Sequence, residues 1–180
     1  MVNSPDTTRA SLVHSKAIVL RVVALLAASA LGVDAYVHLH DANFYDSVKS
    51  SVLSQGDLFR VEAGLAIAVG AAVLVWPRRA LAWAIAFLVA ASAFGAVMLY
   101  RYVDVGSLGP LPNMYEPTWT TPYKLMSAYA EGIGAALTGL GLAAVALERM
   151  RSRRRPSPDH VGDMPDQPVG ATTRHGALYS

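Results

Sequence analysis

Long apolar blocks separated by short polar stretches dominate the pattern of this chain. Ala80 to Tyr100 is 21 residues without a formal charge. At 1.5 Å rise per residue, a helix over it spans about 31 Å, the thickness of a bilayer's hydrocarbon core. Three further blocks have comparable length. Ala17 to Leu39 carries Arg21 near its start and Asp34 and His38 near its end, Leu58 to Trp76 carries Arg60 and Glu62 in its first turn, and Leu125 to Leu147 carries Glu131. None contains an internal proline, and all are rich in Ala, Gly, Val and Leu, which suits straight, closely packed helices. The pattern predicts an all-α fold, a four-span transmembrane helical bundle. It divides the chain into an N-terminal tail (1–16), a four-helix domain (17–148) and a basic, disordered C-terminal tail (149–180).

The polar stretches are of three kinds. Pro77-Arg78-Arg79 is a tight turn. In His40 to Asp57, the spacing of Phe44, Val48 and Val52 permits a short interfacial helix, with a plain polar loop as the alternative. Asp104 to Lys124 carries Pro110, Pro112, Pro117 and Pro122 among Tyr115, Trp119 and Tyr123. Proline fixes φ, so this loop is stiff and suited to form a lid over the helix ends. Aromatic rings at headgroup level are the alternative reading, favoured for Trp119 and Tyr123.

Composition narrows the class. The chain has 180 residues, no cysteine, 53% hydrophobic and 16% charged residues. Such low charge excludes an ordinary soluble domain. The lack of cysteine excludes disulfides, thiolate nucleophiles, Cys-ligated zinc and iron–sulfur clusters. Eleven of the 15 basic residues flank the side that holds both termini in a four-span arrangement. The positive-inside rule then places both termini in the cytoplasm. A cleaved signal peptide ending at Ala28-Ser29-Ala30 is a rival reading of the first block, against which stands Arg21 inside the apolar run. The lipid bilayer is the expected partner, with a second membrane protein meeting the outer loops. Nucleic acid is not expected, because the arginines after Arg149 already serve as a topology signal and no binding module is present.

The two outward hairpins share a pattern. Tyr36-Val37 precedes Glu62-Ala63-Gly64, and Tyr102-Val103 precedes Glu131-Gly132. A parallel internal repeat is one explanation, and similar composition is the other.

Candidate chemistry lies in the charged residues of the spans, since a charge inside a bilayer costs about 2.5–3.5 kcal/mol on insertion scales unless paired or hydrated. Ser127, Glu131, Gly134, Thr138 and Gly141 fall at spacings of 4, 3, 4 and 3, forming one small or polar stripe that belongs against other helices. Two readings follow. In the structural one, Asp34, Arg60, Glu62, Arg101 and Glu131 form an ion-pair network, with Arg60 meeting Asp34 and Arg101 or Arg60 meeting Glu131. In the functional one, Asp34 and His38, four apart on one helix face, share a metal ion whose shell Glu62 and Glu131 complete. Proton- or ion-linked work by Glu131 is a further option. Catalysis finds little support, because no nucleophile triad, phosphate loop, dinucleotide fingerprint or His-x-x-x-His pair is present. The sequence leaves the cofactor unknown.

Asp34-Ala35-Tyr36-Val37-His38-Leu39-His40, Leu58-Phe59-Arg60-Val61-Glu62-Ala63 and Gly109-Pro110-Leu111-Pro112-Asn113-Met114-Tyr115-Glu116-Pro117-Thr118-Trp119 together resemble a group of uncharacterised small four-helix integral membrane proteins of actinobacterial type. The architecture is also similar to DoxX-like proteins. The resemblance covers about 15–148 and implies a bacterial plasma membrane and the four-helix topology, with no activity. The expected function is that of a non-catalytic accessory or scaffold subunit with a polar cluster at the outer helix ends. The alternative is a small-ligand or metal-ion binding membrane protein using Asp34, His38, Glu62 and Glu131. A membrane oxidoreductase subunit or quinone-linked enzyme is the third class.

Overall fold

Four long helices and one 3-10 turn make up a computed structural model that describes residues 5–119 and 122–153, with side chains of the first helix described from His14. The helices are α1 (Pro5–Asp41), α2 (Gln55–Val75), α3 (Ala80–Tyr102) and α4 (Pro122–Arg153). Each is long and apolar enough to cross a membrane. The chain is therefore all-α, an up-and-down bundle with the apolar composition of an integral membrane protein. For clarity, the end carrying the two longer connections is called the loop end.

The helices overrun the apolar blocks. α1 begins at Pro5 rather than near residue 17, and α4 continues to Arg153, four residues past the start of the expected disordered tail. A helix does not stop where hydropathy does, because its backbone hydrogen bonds are local and Arg, Ser and Glu are tolerated on a polar extension. The expected tail beyond Arg153 lies outside the described residues, as does the start of the N-terminal one.

Small residues set the packing. Ala24, Ala27, Leu31 and Ala35 of α1, Ala63, Ala66 and Val73 of α2, and Ala86 and Ala90 of α3 are nearly inaccessible and form the core. The whole stripe from Ser127 through Glu131, Gly134 and Thr138 to Gly141 on α4 is buried, as its spacing required. Large apolar side chains point the other way. Leu25, Leu26, Ile67, Leu88 and Leu140 are half or more exposed, a surface matched to lipid rather than water. At the end opposite the loops, Trp83 is fully buried, and its indole N–H donates to the Pro77 carbonyl at 2.7 Å, tying the α2–α3 turn to the core. The ring lies against Gly141, where even an added Cβ would collide with it.

The first loop holds no interfacial helix. Phe44–Ser47 is a single 3-10 turn, and Val48 is already extended. Lys49 then bridges to Ser54, which caps α2 through a reciprocal capping box with Asp57. The second loop folds over the bundle as a braced lid. The Ser50 hydroxyl donates to the Pro110 carbonyl at 2.6 Å, the Tyr45 hydroxyl to Glu116 at 3.0 Å, and the Glu116 N–H to the Tyr100 carbonyl at 3.0 Å. Gly106 and Gly109 take positive φ there, which a side chain would oppose.

Candidate metal and ligand site

Three helices converge below the loop end. α1 brings Asp34 and His38, one turn apart. α2 brings Glu62, seven residues into the helix and so about 10 Å along its axis. α4 brings Glu131, nine residues in and about 13 Å along its axis. One donor atom from each of these four residues lies within 4.8 Å of all the others. The side chains of Asp34, His38 and Glu131 are at most 5% exposed, and Glu62 is 26% exposed.

The imidazole organises the group. Its Nδ1 lies 2.9 Å from the Asp34 carboxylate and 3.0 Å from the Asp34 carbonyl, so an Nδ1–H donates toward Asp34 and the ring is held from that side. Nε2 is thereby turned to the two glutamates, at 3.2 Å from Glu62 and 3.9 Å from Glu131. Phe59 meets the ring edge-on at 4.8 Å and covers it from the loop side. The Ser127 hydroxyl lies 3.0 Å from Glu131 and 3.2 Å from Asp34. One hydroxyl proton can serve only one of these carboxylates. The second oxygen of Glu131 is buried with no hydrogen-bond partner.

The expected arginines are elsewhere. Arg60 does not meet Asp34. It makes a two-pronged contact with Asp46 at 2.8 and 2.9 Å and reaches Asn43 at 2.8 Å, all in the first loop. It leaves α2 two residues before Glu62 and so points to a different side of the helix. Arg101 does not pair with Glu131 either. Its guanidinium lies over the rings of Tyr102 and Trp119, at 5.1 and 5.2 Å. Of the expected ion-pair network, only Asp34, Glu62 and Glu131 come together, and what joins them is His38. Lys124 forms an ion pair with Glu116 of the lid. His40 faces outward between Tyr36 and Tyr123.

The two longer loops also create a cavity of about 630 Å³ between α2 and α3. Its lower wall reaches Leu65 and Val89, the lid supplies Leu111, Met114 and Trp119, and His38, Glu62 and Ser127 stand at its inner side. The space follows from sequence. Ser92, Gly95, Ala96 and Leu99 share one face of α3 toward α2, and the first three lack the bulk to fill the gap. A Cβ added at Gly95 would meet nothing within 4 Å.

The residues that sequence reasoning did not assign are Phe59, Ser127 as a bridge between carboxylates, and Trp119 as a cavity wall. Ser127 had a signal, since it stands one turn before Glu131 on the buried stripe. Phe59 and Trp119 had none that distinguished them from other aromatic residues.

Three acids and one imidazole, without Lys or Arg among them, form a buried group rich in donors and short of positive charge. Comparison with protein-family models, with curated proteins and with solved structures gave no match for this chain, so the site is read from its own geometry.

Proposed function

We propose that this multi-pass membrane protein binds a divalent metal ion of the Zn²⁺, Mn²⁺ or Fe²⁺ class through His38, Glu62 and Glu131. Asp34 orients the imidazole and completes the charge. The carrying observation is the unpartnered, buried oxygen of Glu131 inside a cluster of three carboxylates that holds one imidazole, His38, and no Lys or Arg. Buried carboxylates are retained only when paired, protonated or metal-bound. An Nε2 aimed at two carboxylates, with Nδ1–H held by a third, is the carboxylate–histidine–metal arrangement. Mixed nitrogen and oxygen donors suit these ions better than Ca²⁺, which takes oxygen alone.

The dimensions support this reading. Metal–donor bonds of about 2.0–2.2 Å put donors on opposite sides of an ion at most about 4.4 Å apart. The observed limit of 4.8 Å closes to that value with a contraction of a few tenths of an ångström. His38 and Glu62 line the cavity, whereas Asp34 and Glu131 do not, so an ion here presents its open coordination position to that space. The accessory-subunit reading rests on the loops alone, whereas the metal reading rests on a constructed site.

The test is metal analysis of protein purified without chelator, followed by Co²⁺ substitution of the stripped protein. One equivalent of metal is expected, with a visible Co²⁺ band that His38→Gln abolishes. Absence of both would refute the reading. We infer cytoplasmic termini from the distribution of basic residues, and a bacterial plasma membrane from the resemblance noted in the sequence. Reporter fusions at Ser180 and near Gly109 should then report opposite sides.

A further inference from the structure

The cavity between α2 and α3 carries a second inference, which does not depend on the metal. It runs along α3 from Val89 to Arg101, thirteen residues and about 18 Å of helix, and its walls are largely apolar. It opens sideways, because the lining residues Val61, Leu65 and Leu99 are also 62%, 49% and 41% exposed on the surface that faces lipid. A molecule dissolved in the bilayer therefore reaches it without entering water.

The polar end is asymmetric. Arg101 lines the cavity, and its Nε is buried without a hydrogen-bond partner. Among the described residues no carboxylate forms an ion pair with it. Its contacts are the faces of Tyr102 and Trp119, which stabilise the charge but accept no N–H in the guanidinium plane. A planar guanidinium with a buried, unused donor matches a carboxylate better than any neutral head. The other cation on the cavity wall, Lys124, stands against Glu116 in an ion pair, its Nζ likewise buried without a hydrogen bond. On the opposite wall, the charge of Glu62 is turned to His38 at 3.2 Å.

We propose that this cavity is a lateral binding site for a single-chain amphiphile with a carboxylate head, the chain lying between α2 and α3 and the head on Arg101 beneath the Trp119 lid. A volume of about 630 Å³ accommodates one long acyl chain with its carboxylate.

The experiment uses the full chain in phosphatidylcholine nanodiscs with a palmitate analogue carrying a photoreactive diazirine in its chain. Crosslinked peptides are mapped by mass spectrometry. Adducts are expected on Leu65 and on Val89 to Leu99, displaced by palmitate and far less by hexadecanol. Arg101→Gln should weaken palmitate displacement about tenfold or more, the scale of a lost charge-assisted hydrogen bond. It should leave hexadecanol unaffected. Gly95→Phe should fill the space and abolish labelling, and Ala96→Leu serves if that variant does not fold. Adducts spread evenly over all lipid-facing surfaces, equal displacement by hexadecanol, or insensitivity to Arg101→Gln would each overturn the proposal. Labelling is repeated in EDTA. Persistence there separates this site from the metal, so either reading can fail alone.

Discussion

Replacing Glu131 by Gln separates a metal site from a packing device, because the two give opposite signs. Were Glu131 the partner of an arginine, removing its charge would strand a cation and destabilise the fold by about 3–5 kcal/mol. The structure shows no such arginine, with Arg60 held by Asp46 and Arg101 by aromatic faces. Glu131 instead stands beside two other carboxylates, with the His38 Nε2 at 3.9 Å. Two ionised carboxylates at the 4.8 Å limit of the group would repel by about 3.5 kcal/mol at an effective dielectric of about 20. The change also removes the attraction to His38, so Glu131→Gln should stabilise the metal-free protein by less than this, about 1–3 kcal/mol. The same change removes a charged ligand. A metal at a hundred times its Kd adds about 2.7 kcal/mol of stability, and most of that should vanish in the variant. The assay is thermal unfolding of wild type and variant, each in EDTA and in excess Zn²⁺ or Mn²⁺. A variant that melts lower than wild type in EDTA, and rises equally with metal, would refute the reasoning.

Two other outcomes are expected. Gly141→Leu should destabilise the bundle by about 1–3 kcal/mol or more by driving a side chain into the Trp83 ring, with Gly141→Ala milder, as measured by thermal melts in detergent. In the first loop, the Asp46 carboxyl is held below the usual carboxylate range, chiefly by its hydrogen bond to the Arg60 guanidinium. Because the folded value is depressed, the loop's anchoring is complete above the ordinary Asp range and is lost as pH falls through the lower folded value. Hydrogen exchange at 44–54 should stay slow at neutral pH and quicken only in strong acid. In Asp46→Asn it should already be fast at neutral pH.

The four helices were legible in the sequence because membrane crossing is a local demand. Each block must satisfy its backbone internally and be apolar over its own length, with no reference to the others. The buried stripe on α4 was legible for the same reason, since periodicity on one helix determines which of its residues share a face. The four residues of the cluster could be named from the cost of placing charge in a span. Their partners could not. Arg60 and Glu62 have almost the same position in the chain, yet one reaches up into the first loop and the other turns in to His38. The helix rotation that separates them depends on packing against α1 and α4. Arg101 could be counted as an available cation, but only the fold of the Pro-rich loop lays Trp119 over it and keeps it from the acids. The cavity is likewise a property of two surfaces together. Ser92, Gly95 and Ala96 read in sequence as close-packing residues, and close packing they provide only where a neighbour approaches. Where α2 stands off, the same small side chains leave space.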